Sequence, residues 1–525
     1  MRNIDFTQIS VNDSPEKTER HLKSYYFIWI IFCLIIFVCL QTLGKVYDND
    51  AWWLIATGRE IVNHGFPRFN PWAVHEGMKI VIQQWIPSVI LYNLYSLGGF
   101  PAIEILIGIQ AILLIAILWL TCRQYSGNKD ICCLLLILIS VFSLSMYFSS
   151  RPHLYTMILY SLIVYILEKY RVSGNIRYLF VLPLLTLIHV NVQSSMAIFD
   201  VFVISVYCIP DFFAVINKKF NKGFLFEFKD SDYKRIPIVI SMFVCCISML
   251  INPYGIDGAL YLINSYGAAN YRNFIQELAP TVMFTPYGIA DLILIICGAI
   301  VIGINGKKVD FPLLVIFLVT TFLSIQHLRN TWLVALFSLP FISRGIRDLN
   351  FPCFILPKLH KKIYYLVFGI VLADIMLIYA YSTIWPTLVN NILIYKTDTF
   401  DLPLQACDWI DENMVNNNLE NKKIKVFNTF NNGSVLEFRG YQVLMDPRPE
   451  LWEPGITGLS EHYYEEYVDF QIGKVTIESL LERDSYDFYL IRDNSPSEEF
   501  FLNHKDLYQI EVECNGYKLW GNKNT

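Results

Sequence analysis

From about residue 25 to 386 the chain repeats one pattern: runs of roughly 13–24 mostly apolar residues separated by short polar turns. A helix needs about 20 such residues to cross a ~30 Å hydrocarbon core. Eleven runs meet or approach that length: 25–43, 102–121, 131–149, 153–169, 177–192, 194–210, 236–252, 286–304, 311–325, 331–343 and 363–386. The first is read as a span and not as a cleaved leader. No small-residue cleavage site follows Leu43, and a polar, Trp-rich loop begins there. Residues 80–97 (IVIQQWIPSVILYNLYSL) are apolar enough for a further span, but counting them would reverse every later loop. They are read as a helix lying in the membrane interface, with Trp85, Tyr92 and Tyr95 at headgroup level.

Past residue 400 the pattern shortens and alternates. Leu404–Met414 predicts an amphipathic helix; 425–427, 435–438, 441–445, 486–491, 508–513 and 517–520 predict strands; 460–470 and 475–483 predict two more helices. The expected fold class is a polytopic α-helical membrane protein with a small C-terminal α/β domain. Its segments are 1–24, a transmembrane domain at 25–386 that includes a long loop at 44–100, and the α/β domain at 387–525.

Composition agrees: 17% of residues are charged, against about a quarter in soluble domains. A net charge of −5 with no basic stripe argues against nucleic acid as a partner. Ten of the twelve cysteines sit in or beside apolar runs, which excludes a disulfide-stapled scaffold, and Cys407 and Cys514 in the tail permit one disulfide without implying it. Lysine and arginine distribution sets the orientation. With the N-terminus inside, the inner segments carry 22 cations, six of them between Lys218 and Arg235, against seven on the other side before residue 387. The positive-inside rule therefore predicts N-in and C-out.

That topology gathers the unusual polar residues on the outer face. Asp48 and Asp50 form a D-x-D pair just beyond the first span. Such a pair can hold a divalent cation (Mg²⁺ or Mn²⁺), or one carboxylate can act as general base toward a hydroxyl. Taken alone, it reads equally as a solvated loop with interfacial Trp52 and Trp53. Arg151 and His153, His189, Asn191 and Gln193, Arg272, and His327 and Arg329 lie at further outer turns. Guanidinium groups there suit a lipid phosphate, and each alone also suits interfacial anchoring. Within spans, Asp200, Asp291 and Asp374 are costly and so are functional candidates. His189 and Asp291 fall near enough to the outer ends to reach water, whereas Asp200 and Asp374 lie deeper, where a proton relay, helix–helix hydrogen bonding or pairing with a neighbouring span are open and the structural role is favoured. No Walker, H-E-x-x-H, G-x-S-x-G or C-x-x-C sequence occurs, so nucleotide hydrolysis, zinc proteolysis and serine hydrolysis have no support.

The stretch Asp48-Asn49-Asp50-Ala51-Trp52-Trp53-Leu54-Ile55-Ala56-Thr57-Gly58-Arg59 resembles the D-x-D-x-W-W-H-L-A-T-G-R block of bacterial GT-C-type membrane glycosyltransferase-like proteins, distant relatives of protein O-mannosyltransferases. The likeness continues through Asn63-His64-Gly65-Phe66-Pro67-Arg68-Phe69-Asn70-Pro71, Trp85 and the run ending at Gly99. It then takes in Arg151-Pro152, Asn252-Pro253-Tyr254-Gly255, Arg329-Asn330 and Met445-Asp446-Pro447-Arg448. The resemblance implies a GT-C fold in a bacterial plasma membrane, with a sugar on a polyprenyl phosphate as donor at the outer face. Asp48 or Asp50 would be the base, and Arg151, Arg329 and Arg272 would offset charge on the leaving phosphate. Trp52, Trp53, His64, Arg68, His153, Asn191, Gln193 and His327 complete the expected donor site. The chain departs from the block at Leu54, at Gln83-Gln84 where His-Glu is usual, at Gln193 where His is common, and at Pro447 where Gly is usual. These departures leave open a non-catalytic scaffold in cell-envelope assembly. A lipid or solute transporter is the third reading, supported only by the buried aspartates.

Overall fold

The computed structural model describes residues 35, 49–127, 129–209, 233–266, 276–306, 309–347, 403–416, 423–514 and 516–523. The expected spans 25–43 (save Ile35) and 363–386, the cations at 218–229 and at 307–308, and Asp48, Arg272 and Asp374 lie outside these residues.

Ten longer helices carry the apolar part: α1 Asp50–His64, α2 Trp85–Ser126, α3 Asp130–Leu144, α4 His153–Ser173, α5 Val181–Val192, α6 Ser194–Val206, α7 Ile236–Ser248, α8 Pro286–Asn305, α9 Phe311–Gln326 and α10 Thr331–Gly345. Among the described residues, three stretches (Trp85–Ser126, Asp130–Tyr147 and Pro286–Asn305) are long and apolar enough to cross a membrane, and several shorter apolar helices accompany them. Their starts are chemically marked. Thr285 accepts from Gly288 N at 3.1 Å before Pro286, and Asp310 caps α9 ahead of Pro312. Pro in the first turn removes an N–H that has no helical partner there, and the cap satisfies another. The helices are apolar on both sides. Ile103, Leu114, Trp332 and Phe337 are buried, while Ile105, Ile112, Ile247 and Phe322 are exposed. A bundle apolar inside and out suits lipid and not water.

Two clusters of contacts mark opposite ends of the bundle. At one, Lys129 Nζ donates to Ile346 O at 2.6 Å, Arg171 meets Asp310 and Glu168, and Asn305 Nδ2 donates to Gly345 O at 3.1 Å. At the other, Arg151 meets Asp50 and Glu277, and Tyr147 Oη donates to Leu328 O at 2.8 Å. The turns expected to carry excess cations thus share the first end, and the Asp50 turn shares the second with those of Arg151 and Arg329.

Residues 85–97 form a helix as expected, and a second helix over 100–126 follows across a kink at Gly98 and Gly99 (φ −155° and +64°), so α2 is two helical segments. The positive φ suits glycine. One expectation changes: 435–438, expected as a strand, lies in a helix.

The tail is built of α11 Leu404–Asn416, β1 Lys425–Phe427, α12 Gly433–Arg439, β2 Gln442–Val443, α13 Tyr463–Gln471, α14 Ile477–Arg483, β3 Phe488–Arg492, α15 Pro496–Asn503, β4 Tyr508–Cys514 and β5 Tyr517–Asn522. Four apolar-rich residues cannot separate strand from helix by period, and α12 is closed by Gly440 at φ 95°. The sheet order is β2-β1-β3-β5-β4, with β1 parallel to β2 and β3 and the other pairs antiparallel. Helix α15, not anticipated, is capped by Ser495. Cys407 and Cys514 are buried free thiols.

The long loop joins tail to bundle. Val443 N donates to Trp72 O at 2.7 Å and Val74 N to Val443 O at 3.1 Å, so residues 72–74 cover the β2 edge of the sheet. A covered edge cannot recruit another strand. Helix α1 packs on the start of α2 at Gly58, where a Cβ would stand 2.0 Å from Ser88 O.

Candidate functional site

The second end of the bundle and the tail enclose a cavity of about 650 Å³. Asp50, Trp53, Gln83, Gln84, Arg151, His153, Gln193, Glu277 and Arg329 line it from the bundle side; Asn431, Arg448, Glu450, Tyr464 and Tyr467 line it from the tail.

Asp50 opens α1, where a carboxylate complements the helix dipole. One turn later Trp53 Nε1 donates to its Oδ1 at 3.0 Å, and Arg151 Nε lies 2.9 Å from its Oδ2. Arg151 reaches across to Glu277, its Nη1 donating to Oε1 at 2.8 Å. Burial alone would raise the Glu277 carboxyl, but Arg151 and Arg329 outweigh it and hold the group below the usual range. The turn carrying Glu277 is pinned by the 327–330 turn: His327 Nδ1 lies 2.6 Å from Leu278 O, and Leu328 N donates to Ala279 O at 2.9 Å.

His153 is the first residue of α4 and only 3% exposed. Neither ring nitrogen has a hydrogen-bond partner among the described residues, although the ring lies in the cavity wall beside Arg151. Leaving a buried polar group unpaired costs about 1–3 kcal/mol, so a ligand that satisfies it gains that much.

On the tail side, Arg448 is held by Asp446 and Glu437. Nε donates to Asp446 Oδ1 at 2.9 Å and Nη2 to both Glu437 oxygens at 2.7 Å. Its guanidinium stands 4.6 Å from the Trp53 ring centroid and 5.7 Å from that of Trp72. Burial favours its neutral form, but the two carboxylates more than offset this and keep it charged. Glu437, fully buried, is pushed well above the carboxylate range by burial and by Asp446, against the pull of Arg448. Burial also raises Glu450, with Arg329 opposing.

Of the residues expected from the sequence, Asp50, Trp53, Arg151, His153, Gln193 and Arg329 come together in this wall. Trp52 does not line the cavity; it packs between Phe100 and Phe438, with ring centroids at 5.1 and 4.8 Å. His64 is exposed and pairs with Glu60 at 3.0 Å; Arg68 donates to Pro253 O at 3.2 Å and covers Tyr254. Asn191 accepts from Trp85 Nε1 at 2.7 Å and ties it to Ile251 O. His189 and Asp291 are buried and not at water. Glu277, Arg448 and Glu450 were not expected as site residues. The Met445-Asp446-Pro447-Arg448 stretch of the resemblance carries Arg448. Leu54, one of the departures, is buried in the core, whereas Gln83, Gln84 and Gln193 face the cavity.

Among the described residues the Asp50 oxygens meet Trp53 and Arg151, and no group of three or more His, Cys, Asp or Glu able to hold a metal occurs there. Asp48, the other half of the D-x-D pair, lies outside them.

No protein-family model matches the chain, and no curated protein matches it. Solved structures do. The archaeal oligosaccharyltransferase AglB from Archaeoglobus fulgidus, in complex with an inhibitory peptide and a dolichol-phosphate, superposes with TM-score 0.53 at 12% identity over 88% of this chain and 69% of that one. The oligosaccharyltransferase of the same organism tethered to an acceptor peptide gives TM-score 0.51 with the same identity and coverage. ArnT from Cupriavidus metallidurans, bound to undecaprenyl phosphate, gives 0.48 at 10% identity over 94% and 97% of the two chains, too low to argue a shared fold. The chain thus shares the fold of the archaeal oligosaccharyltransferase structures, and its described residues include helices long and apolar enough to cross a membrane.

Proposed function

We propose that this protein is a glycosyltransferase that takes a sugar from a polyprenyl phosphate and transfers it, with inversion, to a hydroxyl of a surface glycan, lipid or protein. The observation that carries the reading is His153: a buried imidazole with no partner among the described residues, at the start of a 21-residue helix, in a wall shared with Arg151 and Arg329. A helix N-terminus, two guanidiniums and an imidazole form a site for phosphate oxygens. The archaeal neighbour solved with a dolichol-phosphate has the same fold, which supports a lipid-linked donor here.

In this reading Asp50, or Asp48 two residues earlier, takes the proton of the acceptor hydroxyl. The oxygen attacks the anomeric carbon from the face opposite the phosphate. The bond from that carbon to the phosphate oxygen breaks, and its electron pair leaves with the prenyl phosphate, whose charge Arg151 and Arg329 offset. Arg151 is shared between Asp50 and Glu277 before the donor arrives. A phosphate drawn to that guanidinium competes with Asp50 and leaves the carboxylate available to the acceptor.

The N-terminus then faces the cytoplasm, and the transmembrane domain at 25–386 and the α/β domain at 387–525 enclose the site on the outer face of a bacterial plasma membrane. The test is titration of the purified protein in nanodiscs with polyprenyl-phosphate sugars. Saturable binding that falls at least tenfold in Arg151→Ala and Arg329→Ala supports the reading. A folded wild type that binds none of them refutes it, and then a scaffold in envelope assembly, its cavity holding a partner, becomes the better account.

A further inference from the structure

A buried chain of four polar side chains runs from the middle of the bundle to the cavity wall. His189 and Asp200 are both 0% exposed, and His189 Nδ1 lies 2.9 and 3.0 Å from the two carboxylate oxygens. On its other side His189 Nε2 is 3.2 Å from Thr156 Oγ1, which donates to Gln193 Oε1 at 2.7 Å. Gln193 is in the wall. Thr156 lies one turn beyond His153 on α4, so the chain ends beside the orphaned imidazole. Around the pair the surroundings are apolar and aromatic: the Tyr160 ring is edge-on to His189 with centroids at 5.0 Å, and Tyr160 stacks on Trp332.

A buried ionisable pair is costly in such a place, and its hydrogen bonds hold it. The Thr156 hydroxyl has one hydrogen, which it gives to Gln193 Oε1. It can therefore only accept from His189 Nε2–H, and the Gln193 amide, its oxygen taken, offers its N–H₂ to an occupant. Reversed, the amide would turn an acceptor toward a phosphate and repel it.

We infer that the His189–Asp200 pair is a positioning device: acting through Thr156, it orients the Gln193 amide as a hydrogen-bond donor to the lipid phosphate in the cavity. The inference rests on the donor-site reading above and adds residues to it.

Thr156→Val tests it, because valine keeps the shape, leaves the buried pair intact and cuts the link to Gln193. The wild type and variants, as full-length protein in nanodiscs, are titrated with a polyprenyl monophosphate and, separately, with inorganic phosphate. Losing one oriented hydrogen bond corresponds to roughly three- to tenfold in affinity. The expected result is a loss of that size in Thr156→Val and in Gln193→Leu, no further loss when the two are combined, and recovery to within twofold in Thr156→Ser; the melting temperature falls in Thr156→Val, where Nε2–H loses its acceptor, and is restored in Thr156→Ser. Recovery by serine separates orientation from packing. Wild-type affinity in Thr156→Val, with binding otherwise intact, overturns this inference and leaves the donor site standing. Equal loss of binding and of melting temperature in Thr156→Val and Thr156→Ser also overturns it, since Thr156 would then act only in packing. No binding of the monophosphate by the wild type overturns the donor site and this inference together, and binding of inorganic phosphate alone assigns the wall to a free anion.

Discussion

Arg448→Met removes a cation that is 6% exposed from between two carboxyl groups that are 0% exposed. The side chain makes hydrogen bonds to Asp446 and to both oxygens of Glu437, and its guanidinium lies over Trp53 and Trp72. Removing one partner of a buried ion pair costs about 3–5 kcal/mol, because the remaining charge has lost its counterion. The two ring contacts add about 0.5–2 kcal/mol. Protonation offsets part of this: Glu437 is already raised by burial and by Asp446, and without Arg448 both carboxyls are raised further. The net loss is expected near 3–5 kcal/mol, or on the order of 10 °C in the unfolding temperature of a domain this size. The assay is thermal unfolding of the full protein in nanodiscs, followed by tryptophan fluorescence. The sign of its pH dependence is determined. An acid whose folded pKa is raised contributes most below its unfolded value near 4 and loses that contribution as pH climbs through the folded value, so the deficit of Arg448→Met is smaller at pH 5 than at pH 8. Adding Glu437→Gln, which removes one carboxyl at constant volume, is expected to restore part of the deficit but not the share of the ring contacts. A melting temperature within 2 °C of wild type, or a deficit that grows on acidification, would refute this account of the cluster.

Further expectations follow from the same contacts. Asp50→Asn is expected to abolish transfer, by at least 100-fold in turnover assays with a lipid-linked sugar, while donor binding stays within a few-fold or tightens because Arg151 loses a competitor. Burial would raise Asp484, but hydrogen bonds from His75 and Arg483 bring it down to about 2; the stability it adds is present above the unfolded pKa near 4 and is lost as pH falls toward 2. Asp484→Asn is therefore expected to cost about 1–2 kcal/mol at pH 7 and little at pH 2 in the same unfolding assay. Gly58→Ala puts a methyl 2.0 Å from Ser88 O, and forcing α1 from α2 is expected to cost about 1–3 kcal/mol and to speed proteolysis at Arg59 in α1 and at Arg68 in the loop that follows it.

What could be read from the chain was set by the length scale of each signal. Spans such as 286–304 and 311–325 reappear as helices at Pro286–Asn305 and Phe311–Gln326, because 15–20 apolar residues between a capped start and a polar turn admit one solution. The short elements were harder. Residues 435–438 look the same as strand or helix, and their fate depends on Gly440 and on burial against α1. The site split in the same way. Residues joined by unusual local chemistry (Asp50 with Trp53, Arg151 with His153) were legible. Glu277 and Glu450 were not, because a single carboxylate in a loop has no pattern; only folding brings Glu277 to Arg151, 126 positions away. His189 was misjudged for a related reason. Near the end of a span it looks able to reach water, and its pairing with Asp200 depends on the turn between α5 and α6.

The join between bundle and tail bears on why a helical bundle of this kind carries an α/β domain at all. The face of Trp53 meets Arg448 from the tail while its indole N–H holds Asp50. The same residue therefore senses both halves of the cavity. Any shift of the tail that moves Arg448 off the Trp53 ring also changes the hydrogen bond that orients Asp50, with no contact between tail and carboxylate being needed. Residues 72–74, paired along β2, make such a shift costly, since two backbone hydrogen bonds would break together. A cap that merely covered the cavity would need neither the buried cation nor the strand pairing. That both are present argues that the tail sets the geometry of the proposed base.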